Sequence, residues 1–396
     1  LGGNWGAAES MAARRIVDTA QSYTLSVIPL FILMGNLVAR AGLSDRIFRA
    51  SHAFLGHRQG GQSMATIVAS GGFSAICGSS LATAATMAKV AMPQMRKYGY
   101  ADSLSSASIA AGATLGILIP PSVMLVLYGI ITETSIRSLF AAGFIPGILG
   151  IVLYIGAVQW VMYRNPAAGP SAEPTSWAGR FRALRAVGDT VALFILVIGG
   201  IYIGVFTPTE AAGIGATGAF IIALVRRALT VRVLYDVLVD TVRMTAMLFA
   251  IVLSALIFAN FVNRAGLPDE LLVFINNLDV APWLVVLAII GIYIALGSVL
   301  ESMSMLMLTV PVFFPVVAGM GLDLIWFGIL VVIVIEISLI TPPVGMNVFV
   351  LRAVLPDVSA ATIFRGVTPF WIAGIIRVLI VLAVPGVALF LPDLLY

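Results

Sequence analysis

The sequence predicts an all-α polytopic membrane protein, an inverted-topology repeat with two re-entrant helical hairpins and two discontinuous helices. Three observations carry this expectation. The 396 residues are 60% hydrophobic and only 10% charged, with a mean hydropathy of +1.08, a balance that a water-soluble domain of this size cannot solvate. The phrase "ILIPPSVM" (117–124) returns as "LITPPVGM" (339–346), so two prolines twice interrupt a stretch apolar enough to lie in a bilayer. The recurrence also keeps register. Adding 222 carries Ser80 to Ser302, Pro93 to Pro315, Gly99 to Gly321, Pro120 to Pro342, Pro121 to Pro343 and Met124 to Met346. Adding 224 carries Asn36 to Asn260 and "RAGLSD" (40–45) onto "RAGLPD" (264–269). Self-similarity at a fixed period marks an internal duplication.

The elements follow in order, on the rule that a spanning helix needs about 20 apolar residues. The opening "LGGNWGAAES" has no initiator Met and no basic n-region, and no full apolar segment precedes Tyr23; it reads as the interior of a longer protein whose N-terminus is partly missing. The first span is 24–41. Stretch 62–95 is too long for one span and carries the polar, glycine-bearing patch "CGSSLAT" (77–83) near its middle. Backbone leaves a helix at membrane depth only where protein or a water-lined cavity satisfies it, so this stretch predicts a hairpin. Residues 103–131 hold the first double proline, and "SSASIAAGA" (105–113) within them reads as close helix packing. A span at 140–163 follows. The polar linker 164–185, "RNPAAGPSAEPTSWAGRFRALR", then separates a first repeat, 1–186, from a second, 187–396. Spans at 189–206, 211–224 and 240–262 come next, followed by a second hairpin, 281–320, around "GSVLESMS" (297–304). The second double proline lies in 324–351, and a last span covers 367–391.

Orientation comes from arginine and lysine, which concentrate in cytoplasmic loops. The loop after the first "RAGL" holds Arg46, Arg49 and Arg58, and the first hairpin exits at Arg96 and Lys97. Its counterpart, the loop 268–282, holds Asp269, Glu270 and Asp279, so the two copies face opposite sides. Arg164, Arg180, Arg182, Arg185, Arg226, Arg227, Arg232, Arg352 and Arg365 all fall on the basic side; Arg14 and Arg15 fall on the other, unless they lie on an interfacial helix. The formal charge of +4 is thus a topology signal and predicts no nucleic-acid partner.

Inverted repeats with broken helices are the architecture of secondary transporters, with substrate and coupling-ion sites at the breaks. A double proline removes two backbone donors and bars the preceding residue from helical geometry, which frees carbonyls near 116–119 and 338–341. Carbonyls and hydroxyls suit a hard cation such as sodium without an unpaired carboxylate in the membrane. The hairpin tips supply hydroxyls, Ser79, Ser80 and Thr83 in one half, Glu301 with Ser302 and Ser304 in the other. The sequence therefore predicts one sodium per pocket. Substrate is expected between the pockets, against Gly78, Thr83, Pro121, Ser122, Glu301, Ser302, Pro343, Gly345 and Asn347.

Other ionisable residues inside spans are functional candidates by default. Glu336 and Lys89 are expected to pair or to face a cavity. Glu210 in "TPTEAA" is expected to cap a helix, and Arg377 to snorkel to the interface unless it meets a substrate carboxylate. A single cysteine, Cys77, and two histidines, His52 and His57, exclude a disulfide framework and leave little for a metal centre. There is no HExxH, no GxSxG and no serine with a histidine base, so the chain is not expected to be an enzyme.

The phrases "IPLFILMGNLVARAGL", "CGSSLATAATMAKVAMPQM", "TLGILIPPSVMLVLYGIITETSI", "GVFTPTEAAGIGA", "PVVAGMGLDLIWFGIL" and "EISLITPPVGMNVFVLRAV" resemble the large membrane subunit of tripartite ATP-independent periplasmic (TRAP) transporters, the DctM-like family. The resemblance spans nearly the whole chain. It implies a sodium-coupled elevator importer of small carboxylates in the bacterial inner membrane, with hairpins and broken helices as a transport domain moving against a scaffold of the remaining helices. It also implies two partners, a small four-helix membrane subunit and a soluble periplasmic substrate-binding protein. Carried over residue by residue, one sodium site falls on Ser79 and Ser80 with Gly116, Ile119 and Pro120. The other falls on Gly297 with Ser338, Thr341 and Val344. The alternatives are an inverted-repeat anion transporter working without a binding protein and a passive channel, the latter disfavoured because no charged ring is evident.

Overall fold

The computed structural model describes residues 5–396, and helix is its only regular secondary structure among them. Leu1–Asn4, the start on which the expectation of a longer N-terminus rests, lies outside the described residues. The helices are α1 (Trp5–Ala20), α2 (Val27–Arg40), α3 (Leu43–Leu55), α4 (Gly61–Cys77), α5 (Ser80–Lys97), α6 (Asp102–Thr114), α7 (Val123–Thr132), α8 (Ile136–Arg164), α9 (Trp177–Tyr202), α10 (Pro208–Val225), α11 (Val231–Arg264), α12 (Leu267–Asn277), α13 (Pro282–Gly297), α14 (Ser302–Gly319), α15 (Leu324–Ser338), α16 (Met346–Val354), α17 (Ala360–Ala383) and α18 (Gly386–Leu395). Six of them, α8, α9, α10, α11, α14 and α17, are long and apolar enough to cross a bilayer, and a seventh span forms if α1 and α2, bent by 58°, count as one. The chain is a multi-pass membrane protein.

The stretches 62–95 and 281–320 each fold as two helices around a tip, α4–α5 and α13–α14, and both double prolines separate two helices, α6 from α7 and α15 from α16. The repeated "RAGL" has a structural meaning. Its glycine sits in the left-handed region, φ 73° at Gly42 and 75° at Gly266, and each time turns the chain from one helix into the next. A Cβ at Gly42 or Gly266 would touch nothing, so the requirement is backbone conformation and not space.

Three expectations need correction. The segments read as loops after each "RAGL" are the helices α3 and α12; α3 buries Leu43, Phe48 and Ala53, giving an amphipathic helix its reason to form. The linker is shorter than 164–185, because Ser176 accepts from the Gly179 N–H and starts α9 at Trp177. There Arg180 donates to the Ala53 carbonyl at 3.1 Å and stacks over Trp177. The last span is two helices: Val384 precedes Pro385, leaves the helical region (φ −128°, ψ 80°), and ends α17.

Packing sorts the helices into two groups. The hairpins and broken helices pack on one another and on α8, α17 and α18, while α2, α9, α10 and α11 form a second group carrying α1. Helix α3 leans on α4 and on α9, and α12 on α14 and on α11, so the short helices bridge the groups; α2 against α4 and α11 against α14 are further contacts. The first group has a small-residue interior. Ser105, Ser106 and Ser108 are fully buried, and each hydroxyl donates back to its own helix. Self-satisfied hydroxyls let backbones approach closely, as expected of "SSASIAAGA".

Candidate ion and substrate site

In the first half, α4 closes at Gly78 (φ 67°), whose N–H reaches the Ser74 carbonyl at 2.8 Å. Ser79 then caps α5 by accepting from the Ala82 N–H at 3.3 Å, which turns the tip hydroxyl inward along the helix. Ser80 and Thr83 are buried behind it. The tip lies on the break: a Cβ on Gly78 would stand 3.4 Å from Val123, the first residue of α7. Below it, a Cβ on Gly112 would stand 3.0 Å from Ser70, and one on Gly116 would overlap Ser74, side chain and backbone alike.

The second half repeats this contact with its partners exchanged. Gly297, the end of α13, lies against Ser338, the end of α15. Ser338 is the counterpart of Gly116 under the 222 offset, so glycine and serine have traded helices. Both serine hydroxyls are satisfied locally, Ser74 to the Ser70 carbonyl at 2.6 Å and Ser338 to that of Ile335 at 2.7 Å. At the tip Glu301 accepts from the N–H groups of Met303 (2.9 Å) and Ser304 (3.1 Å) and from the Ser302 hydroxyl (2.8 Å). Its carboxylate is therefore the N-cap of α14.

The freed carbonyls are fewer than the prolines alone imply. Pro120 and Pro121 remove the donors that would serve Gly116 and Ile117; Pro342 and Pro343 remove those for Ser338 and Leu339. The Ser122 hydroxyl takes the Ile117 carbonyl. The Thr341 N–H serves Ser338, and the Asn347 N–H serves Leu339, each at 3.1 Å. Thr341 also returns its hydroxyl to Ile337. Of these four carbonyls, that of Gly116 alone is left without a hydrogen-bond donor among the described residues. Local capping by Ser122 and Asn347 is the reason, because an unpaired buried carbonyl is expensive.

The remaining candidates separate clearly. Ile119 is buried with its side chain on Gly147 of α8. Asn347 is fully buried and donates to the Ala110 carbonyl of α6 at 3.1 Å, crossing between the halves. Pro120, Pro121 and Ser122 are buried; Pro342 and Pro343 are exposed, with Val344 half-buried and Gly345 (φ 57°) beneath Phe364. Lys89 is exposed on α5. Glu210 caps its helix as expected, through a capping box with Thr207 (2.8 Å and 3.3 Å). Arg377 does not snorkel. It is fully buried and ion-paired with Glu336, also fully buried, which gives Glu336 its expected partner.

A groove of about 560 Å³ runs between α3, α4, α8 and α9, bounded by Phe54, Ile119, Ile151 and Phe194. Its walls are largely apolar, Ser51 and Thr190 being the polar residues among them. Sequence reasoning missed the Gly112–Ser70 and Gly116–Ser74 contacts. The signal was present as two small-xxx-small pairs, 112/116 and 70/74, whose facing needs the tertiary fold to be seen.

Residues 5–387 match the family model described as "Tripartite ATP-independent periplasmic transporter, DctM component". The large permease protein DctM of a C4-dicarboxylate TRAP transporter of Pseudomonas aeruginosa is 34% identical over 383 residues, covering 96% of this chain and 89% of the relative. SiaM, the large permease protein of a sialic acid TRAP transporter of Vibrio cholerae, is 33% identical over 97% of this chain and 90% of its own length. TeaC, the large permease protein of an ectoine TRAP transporter of Halomonas elongata, is 31% identical over 94% and 87%. Among solved structures the fold is similar to that of the YdaH transporter of Alcanivorax borkumensis, with a TM-score of 0.68 and 15% identity over 96% of this chain and 89% of that one.

Proposed function

This chain belongs to the DctM component family of tripartite ATP-independent periplasmic transporters, a family of transporter permeases and not of enzymes, and from that premise we propose that it is a sodium-coupled importer of small organic acids working by an elevator mechanism in the bacterial inner membrane. The observation that carries the reading is the reciprocal glycine–serine contact, Gly116 on Ser74 and Gly297 on Ser338, which seats each hairpin tip on its own proline break. Two such junctions in oppositely inserted repeats are where a secondary transporter forms its ion and substrate sites.

Sodium in the first pocket is held by the Gly116 carbonyl with Ile119, Pro120, Ser79 and Ser80, and in the second by Gly297, Ser338, Thr341 and Val344. Substrate sits between them near Gly78, Thr83, Pro121, Ser122, Ser302, Pro343, Gly345 and Asn347. Glu301 supports that site as a cap, since a carboxylate already accepting three hydrogen bonds would repel a carboxylate substrate. The moving unit includes α8, α17 and α18 along with the hairpins and broken helices, because these pack as one group; α2, α9, α10 and α11 stay fixed, with α3 and α12 as the links.

The partners are a small membrane subunit and a soluble binding protein that delivers substrate, in keeping with the tripartite family name. The named substrates of the relatives, C4-dicarboxylate, sialic acid and ectoine, support a small, carboxylate-bearing class. The test is uptake in proteoliposomes with both partners and a panel of organic acids, in sodium or in potassium. Sodium-dependent uptake is expected, and Ser80→Ala is expected to weaken that dependence while the protein stays folded. Uptake that ignores the exchange of sodium for potassium defeats the ion assignment.

A further inference from the structure

The Glu336–Arg377 pair lies where the two halves meet. Glu336 is on α15, two residues before Ser338, and Arg377 comes from α17. Gly150 of α8 leaves the space that the guanidinium fills, since a Cβ there would overlap it. Tyr154, one turn on, faces the pair, with Thr114 at the end of α6 beside Tyr154. The Glu336 carboxylate also faces the backbone N–H of Leu118, inside the first proline break. That N–H has only a long bond of its own, 3.3 Å to the Leu115 carbonyl, and Glu336 Oε1 is buried with no hydrogen-bond partner. One carboxylate thus stands between the first break and the helix that leads into the second.

A buried ion pair is weak as a source of stability, because desolvation offsets most of its attraction. Its geometry here suits a different task. We propose that Glu336 is a positioning residue: its unpaired Oε1 serves as the acceptor for the Leu118 N–H while Arg377 holds Oε2, and so keeps the two proline breaks in one frame. The sodium affinity of the first pocket then depends on a side chain of the second half. This inference rests on the sodium reading above.

Two neutral double variants of the full chain separate the acceptor from the charge. Glu336→Gln with Arg377→Met keeps an oxygen facing Leu118; Glu336→Leu with Arg377→Met does not. The readouts are the sodium concentration that half-saturates uptake and the rise in melting temperature of the detergent-solubilised chain in sodium over potassium. The glutamine variant is expected to stay within about twofold of the unsubstituted protein. The leucine variant is expected to need about tenfold more sodium, the factor that a lost hydrogen bond of about 1 to 1.5 kcal/mol allows, with substrate half-saturation little changed. Equal sodium requirements in the two variants overturn the proposal. Should the leucine variant fail to fold, the glutamine variant decides alone: a sodium requirement raised more than about fivefold overturns the proposal, and an unchanged one upholds the acceptor role. Failure of the sodium reading itself is distinguishable, because the unsubstituted protein would then show no preference for sodium over potassium in either readout.

Discussion

The two proline breaks share a phrase and differ in surroundings. Pro120 and Pro121 are buried, whereas Pro342 and Pro343 are exposed. At the first, α8 supplies cover: the Leu118 carbonyl lies where a Cβ on Gly143 would come within 2.6 Å, and the Ile119 side chain lies on Gly147. At the second the corresponding helix is α17. Both helices carry an internal proline, Pro146 and Pro369, but the next residue is Gly147 in one and Phe370 in the other. Phe370 turns away to stack edge-on with Tyr154, ring centres 5.7 Å apart. The breaks also close differently, the first by the Ser122 hydroxyl and the second by the backbone N–H of Asn347. The duplication fixed where the helix stops. The residues packed over each stop decided how exposed it is.

The largest way to break this comparison is to remove what joins the two sites. Arg377→Met alone leaves Glu336 buried without its partner and is expected to cost about 3 to 5 kcal/mol, read as a fall in unfolding temperature in detergent; a fall no larger than that of a surface substitution would show that water reaches the pair. Next is the exchanged contact. Gly297→Ser drives a side chain into Ser338 and is expected to cost up to about 3 kcal/mol by overpacking. Adding Ser338→Gly recreates the arrangement of the first half and is expected to recover most of that loss. No recovery would mean that the two junctions are not equivalent.

A smaller effect separates the caps. Ser122→Ala removes an N-cap and orphans the buried Ile117 carbonyl, an expected loss of about 2 kcal/mol. Val344→Ala, its counterpart under the same offset and only half-buried, is expected to cost less than about 1 kcal/mol. Thermal unfolding of the two variants side by side checks the difference. The smallest effect lies outside the membrane, where Arg96 holds Asp102 in a two-point contact at 2.9 Å and also reaches Asp357, again joining the halves. The Arg96 guanidinium keeps the Asp357 carboxyl below its usual range. A depressed carboxyl contributes stability that is present above its unfolded value, about 3.9, and is lost as pH falls through the lower folded value. Asp357→Asn is therefore expected to lower melting slightly at neutral pH and to make no difference once the medium is acid enough to protonate Asp357 in both states.

Much of this molecule was legible because its strongest signals are covalent or local. Proline lacks an N–H wherever it stands, so Pro120, Pro121, Pro342 and Pro343 announce breaks in any context. The repeated "RAGL" could be found as a phrase, although α3 and α12 behind it were read as loops because charges in an amphipathic helix resemble those of a linker. Glu210 and Thr207 are three residues apart, and their capping box needed nothing distant.

The sequence by itself determined a membrane-embedded, duplicated chain with helices interrupted at 120–121 and 342–343, since composition, period and proline chemistry do not depend on what packs nearby. Only the tertiary structure decided that Arg377 meets Glu336 from 41 residues away, that Gly116 rests on Ser74 while Gly297 rests on Ser338, and that one break is sealed while the other lies open. Those outcomes depend on which helices become neighbours, and a contact between distant segments leaves no mark on either segment alone.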